Sequence, residues 1–349
     1  MKDCIRSAWV VTGCAAAMLL AAAPAGAQDD LEAWQNAELL TLADAINDVR
    51  LGGRAPDEGS LTYLPSYLKG GDDLTYVPFT LLIDPAAVSN ADGDVTDNIA
   101  AYVAMAEPGS DSSELEFENG FYAEAGEREG GRLLMPGNLQ AEGGEYDLYI
   151  AVRYSFDGEA PVEGAIDAFG RQSRATVVPP ITVLRERVTI PNLWNDDLQT
   201  SSILLTQDVQ PLQQAPTPEE LAEFPYMVGP TRVIPRLSAD FGKQDLLGFV
   251  FVIYNTGHDG GMPDVTVDYD FYTRNDGGED FFNRTAPQAL GPQTLPPGFD
   301  VRQGMQLVTG QNIPLGGFPA GSYRLEIKVT DNEEDEELTQ DLFFSVAEN

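Results

Sequence analysis

The sequence predicts a mainly β protein: two tandem antiparallel β-sandwich domains behind a short N-terminal helix. Three observations predict it. Runs rich in β-branched and aromatic residues, most of them bounded by Gly, Pro, Asn or Asp, recur between residues 74 and 330. No helical pattern recurs between them, as a parallel α/β fold would need. One strand pattern, G-x-Y-x-L-x-I-x-V, occurs twice, at residues 144–152 and 321–329. A length of 349 residues suits roughly two domains, and 43% hydrophobic content supplies cores for both.

Residues 1–27 read as a cleaved signal peptide. Lys2 and Arg6 form its basic start, residues 8–23 its apolar run, and Ala25, Gly26 and Ala27 its small-residue cleavage site. The run is short and Ala-rich for a transmembrane anchor. A lipid-attachment box at Cys14 is the lesser alternative, because only a few uncharged residues separate Arg6 from Gly13. Both cysteines, Cys4 and Cys14, fall inside this segment, so the exported chain is expected to have no disulfide and no thiol chemistry. The expected location is periplasmic or secreted.

Residues 28–55 are predicted to hold an amphipathic helix. Leu31, Trp34, Leu39, Leu42, Ile46 and Val49 follow a helical period, and Gly52-Gly53 ends it. The expectation is that it packs on the first sandwich rather than on a partner. Residues 56–190 form the first predicted sandwich, with strands at 74–83, 144–153 and 177–190. Residues 191–349 form the second, with strands at 198–206, 247–254, 265–272 and 323–330. An irregular, Pro-rich entry is expected over 207–235, where Thr217 and Pro218 open a short helix.

The repeated strand carries the argument for two similar modules. Its Tyr, Leu, Ile and Val alternate with other residues, so each copy is expected to have one buried and one wet face. Leu74, which opens an earlier strand, precedes Gly144 by 70 residues; Leu246 precedes Gly321 by 75. The motif resembles the penultimate strand of immunoglobulin-like and fibronectin type III-like sandwiches. The resemblance implies that Tyr146 and Tyr323 are structural tyrosine corners, bonding back to the preceding loop. The Cys pair and central Trp of immunoglobulin domains have no counterpart here. The second half is also similar to the C-terminal sandwich regions of exported proteins related to von Willebrand factor A, without the D-x-S-x-S metal motif of that domain.

Charge and residue counts narrow the function. With 56 Asp and Glu against 20 Lys and Arg, the net charge is −36. That excludes broad nucleic-acid contact and docking on anionic lipid. No stretch after the signal reaches the length of a membrane span, so no stable membrane insertion is expected. His258, the single histidine, lies in a Gly-rich loop with no nucleophile motif nearby and reads as a solvated side chain. Asn90, Asp92, Asp94 and Asp97 place oxygen ligands at near-alternate positions, a partial calcium pattern without the Gly and Glu of an EF-hand loop. Calcium is therefore the one cofactor the sequence raises; an ordinary Asx-turn loop is the plainer reading. Residues 331–337 hold six carboxylates and read as a wet hairpin tip. Trp34, Tyr63, Tyr67 and Trp194, with Tyr226, Phe281 and Phe282, lie near turns, where rings can stack on sugars, anchor a protein or cap a core edge.

These features predict an exported, non-catalytic binding or scaffold protein with a protein or polysaccharide partner. The rivals are a secreted carbohydrate-active hydrolase or carbohydrate-binding protein, and a calcium-stabilised adhesin.

Overall fold

The structure is a computed structural model. It describes residues 31–56, 58–89, 98–110, 115–124, 128–155, 180–212, 216–217, 220–221 and 224–348. Residues 1–27, predicted above as a signal peptide, the predicted calcium ligands Asn90, Asp92, Asp94 and Asp97, and residues 177–179 of a predicted strand lie outside them. In chain order the elements are α1 (Ala33–Arg50), β1 (Leu61–Pro65), β2 (Leu68–Lys69), β3 (Thr75–Ile83), β4 (Asn98–Ala106), β5 (Phe117–Glu124), β6 (Arg128–Glu129), β7 (Arg132–Ala141), β8 (Gly144–Tyr154) and β9 (Thr182–Ile190). They continue with β10 (Gln199–Thr200), β11 (Leu204–Pro211), β12 (Thr231–Pro235), β13 (Asp240–Phe241), β14 (Leu246–Tyr254), β15 (Val265–Asn275), β16 (Gly278–Arg284), β17 (Gln288–Leu290), β18 (Leu307–Pro314), β19 (Gly321–Asp331) and β20 (Glu336–Val346).

The chain divides into two units. One holds the described residues up to 65 and from 70 to 192; the other holds residues 66–69 and 193 onward. The N-terminal unit has one antiparallel sheet in the order β1–β3–β7–β6 and another in the order β5–β4–β8–β9. The C-terminal unit follows a matching order: β10 and β11 pair in succession along one edge of β14 and β18 along the other, while the second sheet runs β16–β15–β19–β20. Each is a β-sandwich built by alternation. In the C-terminal unit Leu247, Phe249, Phe251 and Ile253 of β14 meet Val265, Val267, Tyr269 and Phe271 of β15 and Tyr323, Leu325, Ile327 and Val329 of β19 in one core.

The two copies of the repeated strand differ. On β19, Tyr323, Leu325, Ile327 and Val329 are buried while Arg324, Glu326 and Lys328 are half-exposed. On β8, Asp147 through Arg153 are all buried. The expected wet face of β8 is absent because α1 covers it: Leu39, Leu42, Ile46 and Val49 pack on Ala100, Ala104, Tyr149, Ala151 and Val183. Gly120 of β5 lets the helix approach, since a Cβ there would lie 2.9 Å from Leu39 and from Tyr102. Beneath α1, Glu38 and Arg153 form an ion pair with side chains only 3% and 6% exposed. The Ser155 and Tyr122 hydroxyls also donate to Glu38, at 3.1 and 2.9 Å.

Two further expectations are corrected. Residues 198–206 are not one strand: β10 stops at Thr200, and at Ser201 the side-chain oxygen stands in for a main-chain acceptor, taking the Val252 amide at 2.9 Å. Part of the expected irregular entry 207–235 is regular, because β11 and β12 pair antiparallel with Val209 opposite Val233. Thr217 does cap there, its Oγ1 accepting the Glu220 amide while Glu220 accepts the Thr217 amide.

Candidate interaction face

The outer face of the β16–β15–β19–β20 sheet collects aromatic side chains that the sequence places in doublets. Phe271-Tyr272, Phe281-Phe282 and Phe343-Phe344 each sit on a strand, so neighbours point to opposite faces. Phe271, Phe282 and Phe344 turn inward. They join Phe318 and Tyr323 in a cluster whose ring centroids lie 5.0–6.4 Å apart. Tyr272, Phe281 and Phe343 turn outward. A bulge between Phe271 and Tyr272 in the β15–β16 register aims Phe281 outward and Phe282 inward.

Register aligns the outward residues in one row. Tyr272 pairs with Phe281 on one side and Arg324 on the other, and Arg324 pairs with Phe343. Phe281 is 58% exposed and Phe343 48%. Arg324 holds the row. Its guanidinium reaches Glu279, Glu326 and Asp341 at 2.8, 2.7 and 2.7 Å and lies 4.4 Å from the Tyr272 ring centre. Those hydrogen bonds, first that to Glu326, raise the Arg324 guanidinium above its ordinary value. Burial, then the charges of Glu326 and Asp270, raise the Tyr272 phenol. Arg274 binds Glu279 at 3.1 Å and places its guanidinium 4.6 Å from the Phe343 ring centre. Arg284 is clamped by both oxygens of Asp270. Four strands therefore present a set of aromatic rings interleaved with paired charges. Aromatic and Arg side chains are the types enriched where proteins bind one another.

Of the residues singled out from sequence, Phe281 lies in this row and Phe282 and Tyr323 in the cluster beneath it, while the others lie elsewhere. Tyr323 donates its hydroxyl to the Pro319 carbonyl at 2.6 Å and Tyr146 donates to Glu142 at 3.1 Å, each four residues upstream. Trp34 is half-buried on α1, edge-on to Tyr122 at 5.9 Å, with its indole N–H on Glu32. Tyr63 is buried against Phe79 and leaves almost no ring surface free. The Tyr67 amide donates to Ser202. Trp194 carries the Lys69 ammonium 4.4 Å from its ring centre, and Lys69 also donates to Asn255 at 2.6 Å. His258 is exposed. Asp331, at the base of the acidic tip, accepts the Gly257 amide at 2.6 Å and that of Glu333 at 2.9 Å. Among the described residues no group of three or more His, Cys, Asp or Glu is arranged to hold a metal ion. No helix among them is long and apolar enough to cross a membrane.

Tyr272 and Phe343 were not among the residues singled out from sequence, although the aromatic doublets on successive strands are visible there; the row itself needs the register.

The sequence matches no family model and no curated protein. Solved structures with some likeness include a beta-galactosidase from Bacteroides fragilis, at 10% identity and a TM-score of 0.21, with 80% of this chain aligned to 34% of that one. Another is a trypsin-activated alpha-2-macroglobulin from Escherichia coli, at 11% identity and a TM-score of 0.22, over 85% of this chain and 17% of that one. A third, described as pT26-6p, has 10% identity and a TM-score of 0.18 over 93% of this chain and 73% of that one. The chain thus spans about a third or less of the first two. Likeness at these scores carries no argument, and the β-sandwich assignment rests on the sheets themselves.

Proposed function

We propose that this is an exported, non-catalytic binding protein of two tandem immunoglobulin-like domains, whose C-terminal domain docks a protein partner on its outer sheet face. Export is supported by the signal pattern of residues 1–27. The immunoglobulin-like reading is supported by the matching strand order of the two units and by the hydroxyl-to-carbonyl bonds of Tyr146 and Tyr323. The observation that carries the binding role is the Phe281–Tyr272–Arg324–Phe343 row. Aromatic and Arg side chains dominate protein-binding hot spots, and here they are already held in place, which reduces the entropy cost of docking.

Site-specific photo-crosslinking in the source cell tests this. A benzoylphenylalanine replacing Phe343 is expected to give a discrete adduct, and one replacing the exposed Leu246 is expected to give none. Equal labelling from both positions, or none from Phe343, overturns the reading.

A further inference from the structure

We propose that the partner presents an arginine-bearing segment of polypeptide, whose guanidinium stacks on Phe281. This rests on the binding role proposed above and adds the chemistry of the occupant.

Within the row, two ring faces are already used by guanidinium groups of this chain: Arg324 on Tyr272 at 4.4 Å and Arg274 on Phe343 at 4.6 Å. Phe281 is the most exposed of the three rings, and among the described residues no cation lies over it. Its plane stands 82° from that of Tyr272 at 5.9 Å between ring centres, so that contact takes up at most one of its two faces. The surrounding charge favours a cation. Each Arg and Lys on this sheet face is bound in cis: Arg274 to Glu279, Arg284 to Asp270, Arg324 to three carboxylates, Lys328 to Glu337. Asp268 on the same face of β15 makes no such pair among the described residues, and the whole chain carries −36. An incoming cation therefore meets an excess of negative charge and an unoccupied π face, with no cation of this chain to displace. Arginine fits better than lysine, because its planar and weakly hydrated guanidinium stacks on a ring where an ammonium keeps its water.

A neutral sugar has no claim on the charge excess, and an anionic ligand would be repelled. A second copy of this chain would bring its own −36 to the face. These considerations leave a basic polypeptide as the occupant.

The test is titration calorimetry of the full chain with nona-arginine and, separately, nona-lysine at physiological salt. The two peptides carry the same charge, so non-specific attraction to an acidic protein acts on both, and the ratio of their affinities isolates stacking. Phe281→Leu keeps an apolar side chain at an exposed position and removes the π face. It is expected to lower the nona-arginine affinity about two- to fivefold while leaving nona-lysine unchanged. Leu246→Ala, exposed elsewhere on the same unit, is expected to change neither. A ratio that is the same in wild type and Phe281→Leu overturns the proposal. If crosslinking from Phe343 still yields an adduct in that case, the binding role stands and the partner's chemistry is something other than arginine.

Discussion

Tyr323 shows how one side chain can serve both the core and a turn. Its ring is 1% exposed and stacks on Phe344 at 5.2 Å, and its hydroxyl closes the loop before β19 through Pro319. Tyr323→Phe keeps the ring and deletes that hydrogen bond. It should cost about 1 kcal/mol, read from urea unfolding of the purified chain. Tyr146→Phe should cost less, since Tyr146 is half-exposed and water replaces its bond; equal losses would contradict this account of burial. Asp147 makes a second residue-scale prediction, this one dependent on pH. Burial pushes its carboxyl up, but the Arg187 hydrogen bond, the Gly109 amide and the charges of Arg187 and Arg185 outweigh burial, so the net direction is down. A carboxyl whose folded value is depressed adds stability above its unfolded value of about 3.9, and that stability is lost as pH falls through the lower, folded value. The gap between the urea midpoints of wild type and Asp147→Asn should therefore be wide at pH 7 and narrow steadily below about pH 4. A gap that widens in acid would refute the assignment.

At the scale of elements, the contrast between β8 and β19 shows what the sequence makes legible. The shared G-x-Y-x-L-x-I-x-V motif specifies the inward face of both strands, because alternation sets one face whatever covers the other. The outward positions differ. Tyr149 and Ala151 on β8 correspond to Glu326 and Lys328 on β19, counted from Gly144 and Gly321. The apolar outward pair signals a cover and the charged pair signals solvent, and α1 is that cover. What the sequence does not disclose is the polar link: nothing in the spacing of Glu38 and Arg153, 115 residues apart, announces a pair. Removing either partner leaves a buried charge alone. Glu38→Leu or Arg153→Met singly should cost about 3–5 kcal/mol, whereas the double variant should recover much of that, because it buries no unpaired charge. Amide exchange across α1 gives a second readout, with faster exchange in each single variant than in the double. Gly120→Ala tests the apolar side of the same contact. Its Cβ would press on Leu39 and Tyr102, and overpacking of this kind costs about 1–3 kcal/mol. The aromatic row follows the same logic of partial legibility. Doublets on β15, β16 and β20 are visible in sequence, but only the register and the bulge on β16 bring Phe281, Tyr272 and Phe343 level with Arg324.

At the scale of the whole molecule, the excess of acidic side chains sets the response to salt. With 56 acidic and 20 basic side chains, most carboxylates have no cation to pair with, and folding draws those charges together. Two effects of salt compete. Screening weakens the ion pairs that do exist, but exposed pairs contribute only about 0–1 kcal/mol each, and the buried Glu38–Arg153 pair is shielded from the solvent ions. Screening also relieves repulsion among the unpaired carboxylates. At about 0.1 M ionic strength the Debye length falls to about 10 Å, so charges on opposite sides of a sandwich cease to interact while near neighbours still do. Repulsion has far more partners than attraction here, so its relief is the larger effect. The unfolding temperature at pH 7 should therefore rise between about 10 mM and 0.5 M sodium chloride. Potassium chloride should act alike, because screening depends on ionic strength and not on the identity of a monovalent ion. Lowering the pH towards the sequence pI of about 4.1 removes the same repulsion by protonation, so the salt effect should shrink there. An unfolding temperature that falls with salt at pH 7 would mean that the paired arginines, not the unpaired carboxylates, dominate the electrostatics of this fold.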